Sequence, residues 1–130
     1  MAIRVVQLGK PRTDNEGVRF GTVRRPPRGV KKSEFAKQNW YDVWLPDLAP
    51  SAQLVSWAVN DEWTDERWKR FRREYVREMK EPAVQRLFQV LAALSHESNF
   101  SVGCYCDDES RCHRSILREL LVEAGAKLER

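Results

Sequence analysis

Three cysteines fall within nine positions near the end of the chain, Cys104, Cys106 and Cys112, and His113 and Arg114 follow directly in the segment CYCDDESRCHRS. Thiols, an imidazole and a guanidinium in one short stretch allow three chemistries. In the first, Cys112 or Cys104 is a nucleophile or redox centre, His113 carries a proton and Arg114 clamps a phosphate or carboxylate. In the second, the pattern C-x-C-x5-C-H supplies four metal-ligand types, with Cys104 and Cys106 on one face if the strand persists. That arrangement needs the adjacent Cys112 and His113 to converge, which is awkward on a helix. In the third, Cys104 is a buried strand residue, Cys106 is incidental, and His113 and Arg114 cap the helix or pair with the nearby acids.

A second feature is the basic stretch holding Arg24, Arg25, Arg28, Lys31 and Lys32 with no acidic residue, in which Pro26, Pro27 and Gly29 dictate a loop. If that loop folds over the same strand ends, Arg24 and Arg28 join Arg114 around one anion; otherwise it is a solvated surface loop. The basic run from Arg67 to Arg73 reads differently. Glu66 with Arg70, Arg70 with Glu74, and Arg77 with Glu81 have i,i+4 spacing, which suits a salt-bridged, solvated helix face. Trp57, Trp63 and Trp68 flank and continue an apolar stripe and read as packing residues rather than a stacking platform.

Positioning these groups requires elements that the periodicity supplies. Residues 3–8, IRVVQL, are β-branched and apolar and read as a buried strand, and residues 19–23 as a weaker edge strand. A short helical piece starts at about Ser33, whose hydroxyl can cap it. Residues 40–45, WYDVWL, read as another strand stopped by Pro46. Ser51 is a plausible N-cap for the helix beginning AQLVSWA. From about Thr64 to Lys80, Trp68, Phe71, Tyr75 and Met79 recur every three or four residues, the stripe of an amphipathic helix. Pro82 opens the next helix, to about Ser95, with Val84, Leu87, Phe88, Leu91 and Leu94 inward. Residues 99–105 read as a strand, and residues 115–124 as a helix ended by Gly125.

Strands separated by helical crossovers predict a single α/β domain over residues 1–130, a three-layer, Rossmann-like sandwich around a small, mostly parallel sheet. In open α/β sheets ligands bind outside the carboxyl ends of the strands. Cys104 ends the last strand and Cys112, His113 and Arg114 open the last helix, where free N–H groups and the dipole favour an anion, a thiolate included. Asp107, Asp108 and Glu109 oppose that effect.

Composition narrows the class of protein. The chain has 130 residues, 42% hydrophobic and 32% charged, with a net charge of +4, enough for one real core and only a weak pull toward anionic partners. No run approaches the ~18 apolar residues of a membrane span, and three clustered cysteines build no disulfide framework, so a cytoplasmic, reducing setting is expected. The six glycines never form G-x-G, so the usual dinucleotide or methyl-donor loop is missing and no cofactor is named. A small phosphorylated or carboxylated molecule is the expected partner, with a nucleic-acid or nucleotide module and a zinc-stabilised protein as the alternatives. Oligomeric state is not legible.

The strings CYCDDESRCHRS, GTVRRPPRGV and WYDVWLPDLAPS, followed by a Trp-rich helix, together resemble the domain of unknown function 488, including its YeaO-like members. The resemblance implies an α/β fold, with Cys104, Cys112, His113 and Arg114 on the last motif, Pro27, Arg28 and Gly29 on the loop motif, and Arg24 on a second loop arginine. It implies no settled activity. Many relatives have another residue at Cys106, and Val23 and Pro26 stand where relatives commonly have Asp and Trp. A porphyrin methyltransferase label associated with the family has no support in these residues.

Overall fold

The computed structural model describes residues 1–129 and contains four parallel strands and four α-helices. In chain order they are β1 (Ile3–Gln7), β2 (Val18–Gly21), β3 (Val43–Trp44), α1 (Ala52–Val59), α2 (Asp65–Glu78), α3 (Pro82–Ser95), β4 (Phe100–Cys104) and α4 (His113–Glu123). The sheet order is β1-β4-β2-β3, and every pairing is parallel. This is the α/β domain with a small parallel sheet that the sequence predicts.

The helices begin where their capping chemistry says they should. Ser51 accepts a hydrogen bond from the Leu54 amide at 3.2 Å and Thr64 from the Arg67 amide at 3.1 Å, each satisfying a free donor of the first turn. Pro82 opens α3 without losing a needed donor. The buried side chains of all four helices, among them Leu54, Phe71, Tyr75, Phe88, Ile116 and Leu121, join Ile3, Phe100 and Val102 in one core. A second, smaller cluster holds Leu8, Val23, Tyr41, Cys104 and Cys112, with Phe35 and Trp40 from the irregular segment before β3 packed against it.

Several local expectations change. Residues 19–23 predict an edge strand, yet β2 lies inside the sheet, hydrogen-bonded to β4 on one side and β3 on the other. Its polarity has a specific cause. Arg19, 1% exposed, sends Nε and Nη2 to the Glu16 carboxylate at 2.7 and 3.0 Å, and Nη1 to the Lys10 and Asn39 carbonyls at 2.9 and 2.7 Å. A strand expected over residues 40–45 shrinks to Val43–Trp44, because Tyr41 turns in to pack against Gly21 and Trp40 against Gly9. The piece expected from Ser33 is a 3-10 turn, Lys32–Glu34, with no side-chain cap. Leu94 is outward, 44% exposed. Among the described residues none of the three i,i+4 pairs forms; Arg77 pairs with Glu74, three residues away, and Arg72 reaches Glu119 on α4.

Gly17 carries a constraint that sequence did not mark. Its φ is +79°, and a Cβ there would lie 2.0 Å from the Asn99 carbonyl oxygen, so the loop into β2 can press against the start of β4 only without a side chain. Gly17→Ala is expected to cost about 1–3 kcal/mol, read as a lower urea midpoint at unchanged slope.

Candidate functional site

Parallel pairing aligns the carboxyl ends of β1, β2 and β4, and the chemistry gathers there. Gln7 pairs with Cys104, and Gly21 with Gly103, so the loops leaving these strands emerge side by side. Cys104 is the last residue of β4, Cys106 lies in the following loop, and Cys112 is the N-cap of α4. The three Sγ atoms all lie within 4.8 Å of one another, with Cys104 and Cys106 3.8 Å apart. Cys106, incidental on one sequence reading, thus belongs to the cluster. Three sulfurs at this spacing could also surround a soft cation, as Zn–S bonds of about 2.3 Å require.

His113 is oriented by a backbone group. Its Nε2 lies 2.7 Å from the Thr22 carbonyl oxygen, which can only accept, so Nε2 carries the hydrogen. Nδ1 is then the basic nitrogen, and it lies 3.8 Å from Cys112 Sγ. Tyr75 of α2 packs edge-on against the imidazole, ring centres 5.5 Å apart, and anchors its own hydroxyl by donating to the Leu48 carbonyl at 2.7 Å. Burial holds the Tyr75 phenol well above its ordinary value, so it stays a neutral donor.

The sulfurs divide the charge unequally. Hydrogen bonds from Cys104 and then Cys106 hold Cys112 far below the ordinary thiol value of 9.0, against the effect of burial, and His113 acts in the same direction as its neighbours. Cys104 is pushed up, first by its hydrogen bonds to Cys106 and Cys112 and then by burial. For Cys106 the bond with Cys104 lowers the value, but Cys112 and burial outweigh it and push the thiol to about 11. These influences favour ionisation at Cys112 over its two neighbours.

The arginines take roles that sequence did not assign. Arg114 is 4% exposed and donates from Nη2 to the Cys106 carbonyl oxygen, so it holds the cysteine loop from below; its buried Nε has no protein partner. Arg24 sends Nε to the Pro50 carbonyl at 2.9 Å and Nη2 to those of Pro46 and Ala49, which fastens the basic loop to the segment leading into α1. Arg28 is exposed and does not line the cavity that holds the cysteines. Arg24, Arg25 and Arg111 all line that cavity, although the Arg24 guanidinium is engaged by the Pro46, Ala49 and Pro50 carbonyls and Arg111 Nη2 donates to the Asp65 carboxylate at 3.0 Å. Tyr105 joins the basic loop to the end of β4, its hydroxyl donating to the Arg25 carbonyl at 2.9 Å.

All three cysteines and His113 line a cavity of about 470 Å³. Its wall is apolar and aromatic: Val55, Ala58 and Val59 from α1, Trp63 from the loop after it, and Phe71 from α2. Trp63 and Phe71 pack with ring centres 5.4 Å apart, so the tryptophan expected as packing serves both core and cavity. Asp61, Arg24, Arg25 and Arg111 are the charged residues of this lining. A larger cavity of about 740 Å³ is lined by residues between Pro26 and Trp44, with no cysteine or histidine among them. Among the described residues no helix is long and apolar enough to cross a membrane.

No curated protein and no solved structure matches this chain. A family model does, that of DUF488-N3a, described as the active DUF488-N3 subclade, over residues 3–125. With the match extending over nearly all of the sequence, from β1 to the turn after α4, the chain belongs to the domain of unknown function 488 family, in this DUF488-N3a subclade.

Proposed function

We propose that this protein is a thiol-dependent enzyme acting on a small anionic molecule, with Cys112 as nucleophile and His113 as its proton carrier. One observation carries the reading: the line from the Thr22 carbonyl through His113 to Cys112 Sγ, which leaves Nδ1 as a proton acceptor facing a sulfur at the floor of a cavity. Cys112 would attack an electrophilic carbon with its thiolate electron pair. The broken bond's electrons leave with the departing group, and the proton held at Nδ1 goes to that group. Free N–H groups at the start of α4, with Arg25 and Arg111, suit the anionic part of the substrate, while Trp63 and Phe71 suit a planar or apolar body.

The test is alkylation of the reduced full chain with iodoacetamide across pH, followed by peptide mapping. Because the Cys112 value is depressed, its thiolate persists as pH falls below 9.0, while Cys106, near 11, and Cys104 are protonated there. Cys112 is therefore expected to label first and faster than a free thiol at neutral pH. Equal, slow labelling of all three cysteines would defeat the proposal. Steeply salt-dependent binding to oligonucleotides, with no fast thiol, would replace it by the nucleic-acid reading.

A further inference from the structure

A single nucleophile needs one cysteine, yet three sulfurs converge here. Cys112 is 2% exposed and lines the cavity, a position that favours small reagents over large ones. Cys104 is fixed, since it ends β4, pairs with Gln7 and accepts the Leu8 amide at 2.8 Å. Cys106 is exposed and sits in the loop between β4 and the 3-10 turn Glu109–Arg111. A disulfide needs sulfurs about 2.05 Å apart, so one partner must move to close it. Cys104 is tied to the sheet ladder and Cys112 to the start of α4, whereas Cys106 lies on the loop between them.

We propose that Cys112 and Cys106 form a peroxide-driven, reversible disulfide, which makes this cluster a modification site for small hydroperoxides. The inference rests on the reading of Cys112 as the thiolate of the site. In the first step the Cys112 thiolate attacks the distal peroxide oxygen; the S–O bond forms, the O–O bond breaks, and the alkoxide or hydroxide leaves and takes up a proton. Sulfur is oxidised to the sulfenic acid and the peroxide is reduced to alcohol or water. In the second step the Cys106 sulfur attacks the sulfenic sulfur; the S–S bond forms, the S–O bond breaks, and water leaves with the Cys106 proton. An external dithiol then returns the pair to two thiols and becomes a disulfide itself. Arg114, bonded to the Cys106 carbonyl, is a positioning residue for the second step: it sets where the loop rests before the sulfur swings in.

The closed link would cap Cys112 and remove the nucleophile, so the same cluster that supplies the reaction also silences it under oxidation. The experiment is a stepwise hydrogen peroxide titration of the reduced full chain, read by intact mass and by peptide mapping after blocking free thiols. One equivalent is expected to remove two hydrogen atoms, to link the peptides holding Cys106 and Cys112, and to be reversed by dithiothreitol. Cys106→Ser is expected to lose the link and accumulate a dimedone-reactive sulfenic acid on Cys112; because Cys106 is exposed, this variant should fold. Cys112→Ser is expected to lose both the link and the fast reaction. A disulfide that excludes Cys112, or direct passage of Cys112 to the sulfinic acid in the unaltered chain, would overturn the inference. So would a metal ion retained on the native protein that blocks peroxide until a chelator removes it. Fast alkylation of Cys112 without the peroxide link would reject this inference and leave the enzyme reading standing, whereas slow alkylation would reject both.

Discussion

With His113 replaced by glutamine, alkylation of Cys112 at neutral pH is expected to slow by up to about tenfold, because Cys104 and Cys106 hold the thiolate more strongly than the imidazole that helps them. Glutamine can still donate to the Thr22 carbonyl, as His113 Nε2 does at 2.7 Å, but it presents no basic nitrogen to Cys112 Sγ. The conservative geometry makes the variant informative. If the sole duty of His113 were to fill space against Tyr75 and tie α4 to β2, the rate would barely change while stability fell. Measuring the full pH profile separates the two outcomes, because loss of a base moves the rise in rate toward higher pH whereas a packing defect leaves it in place. Cys104 and Cys106 would still donate to Cys112, so part of its acidity should survive. Their combined influence can be read from the residual profile.

Glu16→Ala is expected to destabilise the domain by about 3–5 kcal/mol, the cost of leaving a buried charge without its partner. Arg19 is the charge concerned, 1% exposed, and Glu16 is 3% exposed beside it. Glu16 also accepts from Ser101 Oγ on β4 at 2.8 Å, so the pair links the loop before β2 to both central strands. Removing the carboxylate therefore loosens the alignment that sets Cys104 beside Thr22. The pH dependence follows from the sign of the shift. Burial raises the Glu16 value, but the Arg19 and Ser101 hydrogen bonds and the Arg19 charge outweigh it and leave the carboxyl below its ordinary 4.5. A depressed carboxyl contributes stability above its unfolded value and loses it as pH falls through the folded one. Urea midpoints of the native chain should thus decline in the acid range, and the decline should be shallower in the variant. An identical acid profile in both proteins would show that Glu16 is not the group responsible.

Much of the scaffold was legible because its causes are local. Ser51 and Thr64 cap helices through bonds to residues three positions on, and the stripe of Phe71, Tyr75 and Met79 repeats within one helix. The strand ending at Cys104 and the helix opening at His113 were read from apolar runs in the same way. β2 was misread because a buried Arg19 looks solvent-facing until Glu16, Lys10 and Asn39 are brought to it. Residues 40 and 41 looked like strand because aromatic residues favour strands, yet contacts with distant Gly9 and Gly21 decide their conformation.

The same division runs through the site. Sequence by itself determined that thiols, an imidazole and an arginine lie at a strand end leading into a helix, since those residues are neighbours along the chain. Only the tertiary structure decided their duties. Parallel pairing of β4 with β2 brings the Thr22 carbonyl to His113 and so selects its tautomer, a contact between residues 91 positions apart. Burial turns Arg114 toward the Cys106 carbonyl, the Arg24 guanidinium is engaged by carbonyls of residues 46–50 and Arg111 pairs with Asp65, while Arg24, Arg25 and Arg111 all border the cavity. A guanidinium binds whichever acceptors the fold brings within reach, and residue type alone does not name them.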